Sequence, residues 1–438
     1  RWEPSCLQVS FDGEPVYCND SLNFYMGEES GETQSWADTT IPNNICDSCD
    51  ASMVTHGPIL GTARADDTRI WVRTDATRRV GVYMGQAADN LQPRGWMYPL
   101  PQDDFTADLQ VSGLQAGTQY FYQLEVEGEL QPQIHEFQTA PADGDSVTMD
   151  LAFVSCTKTD SQPAFGSIVD QDPDMVLFIG DNHYGNTGEQ GALQWYYRWA
   201  HSRSHRQQLM MNTSTLATWD DHDYVGNNTD GDSLGKLAAR LAFEDYWPNP
   251  AHGTANTPGV FFSTSYGDVD FFFLDDRYYR GQDDSLTGDA QMGWLMSELL
   301  ASTATFKVLV NGSQWSLEGT SDSWAEFPTA RNELMDFIRD QNVDGVVLLS
   351  GDVHYSEFRT LSYGGLYDLT EFTSSPAANS TSNCPSDSEQ LFCYDSGPSY
   401  VSLEIDTDRP DPRIVGRIHL EDGAIWAQHT IWYADLIP

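Results

Sequence analysis

Cations are scarce in this chain of 438 residues: 22 Lys and Arg stand against 66 Asp and Glu, a formal net charge of −44. That balance excludes non-specific binding to nucleic acid or to anionic membranes, because both need clustered positive charge. It fits an acidic surface adapted to saline or marine water, and equally a set of carboxylates that bind hard cations such as calcium. Long apolar runs are missing too. None approaches the ~20 residues that cross a bilayer, so no membrane span is predicted. An N-terminal apolar segment is also lacking.

Cysteines number only seven: Cys6, Cys18, Cys46, Cys49, Cys156, Cys384 and Cys393. Six lie in polar, loop-like stretches and read as three disulfides of a secreted, periplasmic or extracellular protein. Cys384 and Cys393 are expected to pair. The other four allow three pairings, or a zinc site with Cys46 and Cys49 in C-x-x-C spacing. Cys156 has no evident partner and reads first as a buried, inert thiol. Sequons begin at Asn19, Asn212, Asn227, Asn311 and Asn379.

What is present is a change of pattern along the chain. Residues 1–55 form a cysteine-bearing extension without helical periodicity. Residues 56–141 alternate in strand fashion between turn residues. There Gly113-Leu-Gln-Ala-Gly-Thr-Gln-Tyr-Phe-Tyr122 resembles the leucine-turn-tyrosine corner of fibronectin type III sandwiches. Over 148–438 apolar strands alternate with helical stretches, which predicts an α/β domain with a largely parallel sheet layered with helices. Strands are expected at 151–155, 175–179, 215–219, 270–274, 306–310 and 345–350, and helices at 193–211, 234–247, 289–302 and 329–341, the last capped by Thr329.

The strand endings carry the chemistry. In order they deliver Cys156, Asp181-Asn-His-Tyr184, Asp220-Asp-His-Asp223, Asp275-Asp-Arg277, Asn311 and Gly351-Asp-Val-His354. A single Asp or Asn after a strand usually caps a turn. Several endings of this kind in one sheet point to a site at the carboxyl ends of its strands. Thiol, phenol and imidazole suit a borderline or trivalent transition ion, and all-oxygen sets suit calcium or magnesium. A two-metal centre needs a bridging carboxylate, and Asp181 is the natural candidate.

The runs Gly180-Asp-Asn-His-Tyr184, Trp219-Asp-Asp-His-Asp223, Leu274-Asp-Asp-Arg-Tyr-Tyr-Arg280 and Gly351-Asp-Val-His354 resemble the PhoD-like alkaline phosphatase/phosphodiesterase family, a branch of the calcineurin-like metallophosphoesterases. The resemblance implies a β-sandwich core layered with helices, preceded by a small all-β fibronectin type III-like domain. It implies hydrolysis of phosphate mono- or diesters by a metal-bound hydroxide. It places Fe3+ on Cys156, Asp181, Tyr184 and His354, and Ca2+ (or Zn2+, Mn2+ or Mg2+) on Asp181, Asp221 and Asp352, with Asn311 and Asp220 as additions. His222 then stabilises or protonates the leaving oxygen. Arg277 adds a phosphate contact, or instead pairs with Asp275 or Asp276. His183, polar where many members are apolar, contacts substrate or metal. Longer members end in a helix over the site, whereas this chain ends at Pro438 in a strand-like segment, so the cleft is expected to be more open or covered by the insertion around Cys384–Cys393. The competing expectations are a sulfatase or phospholipase-type esterase on the same metal scaffold, and a non-catalytic calcium-binding extracellular module.

Overall fold

Successive side chains of a strand point to opposite faces, so the unbroken apolar runs of this sequence must be covered on both sides. The computed structural model, which describes residues 7–11, 14–19, 53–281, 285–315, 322–386 and 388–438, shows how. Leu151, Phe153, Leu177, Ile179 and Leu216 enter one hydrophobic cluster with Phe271, Phe273, Val308, Val310, Val347 and Leu349. Their neighbours Ala152, Val154, Val176, Phe178 and Ala217 turn the other way, onto Phe165, Leu193, Tyr197, Leu209 and Phe243 of four helices. Phe272, Leu274, Leu309 and Leu348 likewise pack on Leu295, Leu299, Leu334 and Ile338 of two further helices.

The core is therefore two stacked mixed sheets between helical layers, the sandwich that the resemblance implies, rather than the one largely parallel sheet that the apolar pattern alone predicts. The first sheet runs Ser214–Thr218, Met175–Ile179, Thr148–Val154, Ser399–Asp406, Arg413–Leu420, Ile425–Trp432, and is parallel only across its first three strands. The second runs Phe262–Tyr266, Val269–Phe273, Phe306–Val310, Val346–Ser350, Leu369–Thr373, Ser356–Leu361, Gln390–Tyr394 and is parallel from its second to its fifth strand. The register Leu177↔Phe153 and Leu177↔Leu216 sets the carboxyl ends of three strands side by side. That edge carries the first half of the site.

Two details depart from the sequence reading. The single helix expected at 193–211 is two, Gln190–His201 and Ser204–Asn212, because Arg203 is extended (φ −69°, ψ 125°) between them. The helix expected to be capped by Thr329 spans Pro328–Asp340 and follows Phe327; proline at the first helical position lacks only an N–H that has no helical partner there.

Val54–Leu60, Asp67–Thr74 and Thr106–Ser112 form one sheet of the preceding all-β domain, and Val80–Gly85, Gln92–Met97, Gln119–Val126, Glu129–Leu130 and His135–Gln138 form the other. The Gln115 N–H donates to Tyr120 Oη at 3.0 Å, the bond of a tyrosine corner. Cys384 and Cys393 are disulfide-bonded. In the N-terminal unit, Arg1–Met53, Leu7–Phe11 and Glu14–Asn19 pair as an antiparallel hairpin. The disulfides or zinc site expected of Cys6, Cys18, Cys46 and Cys49 involve side chains outside the described residues.

Candidate metal centre

Each strand that ends at the site is followed by a sharp turn, and four candidate ligands occupy the left-handed region that side chains other than glycine avoid: Cys156 (φ 57°), Asp181 (53°), Asp352 (68°) and His354 (63°). Strain of this kind persists only where surrounding structure imposes it, and it gathers at functional sites. Gly180 (φ 98°) lets the Asp181 turn close, since a Cβ there would stand 2.6 Å from Cβ of Asp220.

The turns bring donors together in three overlapping groups: Cys156, Asp181 and His354; Asp181, Asp221 and His222; and Asp220, Asp221 and Asp352. Within each group the candidate ligand atoms lie within 4.8 Å of one another. Asp181 belongs to the first two groups and Asp221 to the last two. Cys156 Sγ lies 3.5 Å from Asp181 Oδ2, and Tyr184 Oη lies 3.1 Å from His354 Nε2, so the phenol joins the first group. The Asn379 amide approaches the same His354 nitrogen at 3.3 Å.

Buried polar atoms normally find hydrogen bonds. Here Asp220 Oδ2, Asp221 Oδ1 and Asn311 Oδ1 are buried and have none. The other ends of these side chains are held: Asp220 Oδ1 by Arg277 Nε at 2.5 Å, Asp221 Oδ2 by the Asn228 N–H at 2.6 Å, and Asn311 Nδ2 by Asp276 Oδ2 at 3.1 Å and Ser313 O at 2.7 Å. Three oriented oxygens without a proton donor are what an oxygen-ligated cation requires. Electrostatics point the same way. Burial, then the Cys156, Asp221, Asp223 and Asp352 charges, push Asp181 well above the usual carboxylate range. Burial and then Asp221 do the same to Asp352. Burial carries the Cys156 thiol up to about 12 and raises Tyr184 as well. Ionising these groups together needs cations among them, and the donor set fits that demand.

His222 stands at the rim. Its backbone N–H donates to Asp181 Oδ1 at 3.3 Å, its Nδ1 meets Asn186 Oδ1 at 2.5 Å, and its ring centroid lies 4.1 Å from that of Tyr184. Nε2 is left 3.9 Å from Asp221 Oδ1.

Arg277 and His183 lie outside the three donor groups. Arg277 is fully buried, and its N–H groups are taken by Asp220, Asp322 (3.0 and 2.7 Å), Ser313 Oγ (3.1 Å) and Thr229 O (3.4 Å). A guanidinium enclosed this way has no donor left for phosphate: it holds Asp220 and Asp322, and its Nε also lies 3.7 Å from Asp276 Oδ1, so the ion-pair alternative with Asp276 is the one the geometry favours. His183 is buried against Tyr197, with ring centroids 4.2 Å apart, and belongs to none of the three donor groups. Burial lowers it to about 3, so the ring is neutral, and its buried Nε2 has no hydrogen-bond partner.

Asn186, Lys158 and Asp322 stand outside the strand-ending motifs, and Asp223 stands within one without an assigned role. Asp223 had a legible signal: with Asp220 it makes a capping box around the short helix Asp221–Tyr224, and it accepts the Asn182 N–H at 3.0 Å. The other three are brought in by tertiary packing alone.

Two facing mixed sheets with thiol, phenol, imidazole and carboxylates at their strand ends define the calcineurin-like metallophosphoesterase class. A family model described as PhoD-like phosphatase matches residues 151–395, and the chain belongs to that family. A second model, described as a domain of unknown function, matches residues 51–142. Alkaline phosphatase D of Bacillus subtilis (strain 168) is 29% identical over 312 residues, 57% of this chain and 53% of that protein. The chain thus spans about half the length of this curated relative. The solved structure of PhoD superposes with a TM-score of 0.71 at 20% identity, covering 86% of this chain and 90% of its own. A purple acid phosphatase from yellow lupin (Lupinus luteus) seeds does so with 0.67 at 15% identity, covering 86% and 74%. These two likenesses establish the fold.

Proposed function

We propose that the protein is an exported, metal-dependent alkaline phosphatase/phosphodiesterase that hydrolyses phosphate mono- or diesters, with residues 148–438 as the catalytic domain and 56–141 as a structural sandwich. The observation that carries the reading is the joined donor set around Asp181, with the unpartnered buried oxygens of Asp220 and Asp221 in it. Cys156, Asp181, Tyr184 and His354 would hold a ferric ion; Asp181, Asp221 and Asp352, with Asn311 and Asp220, would hold calcium or another hard cation. When bound, such ions lower the pKa of water and neutralise charge on a phosphoryl group.

The chain's own residues then have separate tasks. Arg277 fixes Asp220 so that one carboxylate oxygen faces the site and the other is spent on the guanidinium. Asn186 Oδ1 accepts from His222 Nδ1, which leaves Nε2 as the nitrogen that faces the leaving oxygen and would deliver a proton to it only from the doubly protonated ring. The Cys384–Cys393 bond supports an exported protein, and no helix among the described residues is long and apolar enough to cross a membrane. Turnover of p-nitrophenyl phosphate and of bis-p-nitrophenyl phosphate, measured before and after chelation, tests the proposal. Chelator-sensitive release of p-nitrophenol from either supports it, and none from both overturns it.

A further inference from the structure

The sequence contains three lysines. Lys236 donates to the carbonyls of Gly231 (2.7 Å) and Tyr278 (3.4 Å). Lys307 is paired with Asp344 at 2.8 Å. Lys158 is different: it is exposed, and among the described residues its ammonium makes no ion pair and no hydrogen bond. In a chain where acidic groups outnumber basic ones threefold (66 against 22), an unpaired ammonium is not for want of carboxylates.

Its position is defined. The Lys158 and Thr159 N–H groups both donate to Ala378 O, at 2.9 and 3.0 Å, which pins the loop two residues beyond Cys156 and beside Asn379. Nζ lies 5.2 Å from the centre of the Tyr184 ring, which is tilted at 34° to the His222 ring and whose hydroxyl meets His354 Nε2. A cation over a tyrosine face is held there by the ring quadrupole without losing its hydrogen-bonding capacity. The buried guanidiniums nearby are occupied elsewhere: Arg277 as described, while Arg206 bonds Thr157 Oγ1 (3.2 Å) and Asn182 O (3.0 Å) through Nη1 and lies over the rings of Phe178 and Trp247.

We propose that Lys158 is a substrate-contacting, specificity-determining residue: its free ammonium, set at the mouth over Tyr184, binds a peripheral phosphoryl oxygen and favours the doubly charged monoester over the singly charged diester. The inference rests on the phosphoesterase reading and adds the group that draws an anionic ester into an acidic surface. Coulomb attraction scales with the substrate's charge, so the two ester classes must respond unequally to loss of this cation.

The test compares wild type with Lys158→Gln and Lys158→Arg, all metal-loaded, on the two p-nitrophenyl esters, together with calorimetric titration of inorganic phosphate and elemental analysis. In Lys158→Gln, KM for the monoester is expected to rise about tenfold and for the diester about threefold, with kcat little changed. Phosphate affinity should fall about as far as monoester affinity, with metal content unaltered, and Lys158→Arg should retain most of both. Unchanged KM and phosphate affinity in Lys158→Gln would overturn the inference. So would equal losses on both esters accompanied by loss of metal, because Lys158 would then act only by propping Tyr184. If the wild type turned over neither ester, the phosphoesterase reading would fail, and the phosphate titration would still decide whether Lys158 binds the anion.

Discussion

Asp181 sits in a conformation that its side chain does not favour (φ 53°), one residue after a glycine that alone fits there. It is shared between the donor group of Cys156 and His354 and that of Asp221 and His222. A carboxylate in that position has no cheaper neutral substitute, because both groups lose a ligand atom at once. Asp181→Asn, nearly the same in shape, is therefore expected to lose both the iron-type and the calcium-type ion together, with at least a hundredfold drop in kcat/KM, on the order seen when mere supporting partners of metal ligands are removed. Elemental analysis of the purified variant checks this; retention of one metal at wild-type content would show that Asp181 does not bridge. Arg277 teaches the converse lesson. An arginine in a motif invites assignment to phosphate, but one whose N–H groups are all enclosed by acceptors serves the ligand beside it.

At the scale of elements, one carboxylate of the all-β region gathers partners from two helices of the layered region. Asp104, which follows the short turn Pro101–Asp103, receives Arg73 of its own domain (3.0 and 3.1 Å) and also Arg198 of helix Gln190–His201 and the Tyr246 hydroxyl of helix Lys236–Tyr246. Trp71 Nε1 adds a bond of 2.7 Å to Asp245 O. Burial alone would raise Asp104, but Arg73, Arg198 and the Tyr246 hydroxyl outweigh it and hold the carboxyl below its usual range. The sign follows: stability from this group is fully present above the unfolded value of ~3.9 and is lost as pH falls through the lower folded value. Asp104→Asn should lower Tm at pH 7 and flatten the acid limb of the Tm–pH profile. An unaltered acid limb would show that the contact contributes no linked stability.

The whole molecule carries −44 charges, and repulsion among them opposes the folded state wherever they are not paired. The Debye length shrinks from ~30 Å at 0.01 M salt to ~8 Å at 0.15 M. Long-range repulsion is screened over that interval, while short pairs such as Arg73–Asp104, largely shielded from solvent, keep most of their strength. Thermal melts of the metal-loaded protein should therefore show Tm rising across this range. A falling Tm would mean that the surface ion pairs, not the excess carboxylates, dominate the balance.

Local pattern by itself determined much of this protein. Apolar runs bounded by Gly, Asp and Asn located the buried strands, and the succession Cys156, Asp181, Asp221, Asn311, Asp352 and His354 marked their carboxyl ends, because both signals depend on residues adjacent in the chain. The switch from alternating to continuous hydrophobicity near residue 148 marks where the strands of the layered sheets begin, with Thr148–Val154, for the same reason. Tertiary structure decided what local pattern does not encode. Which strands of 399–432 pair with which depends on contacts hundreds of residues apart, and so the two-sheet stack replaced the single parallel sheet. His183 and Tyr184 are neighbours in sequence, yet one is enclosed by aromatic rings and the other faces His354, a difference set by what packs on either side of the turn. Asp322 claims Arg277 from 45 residues away, and Lys158 becomes a feature of the site only because Tyr184 lies beneath it.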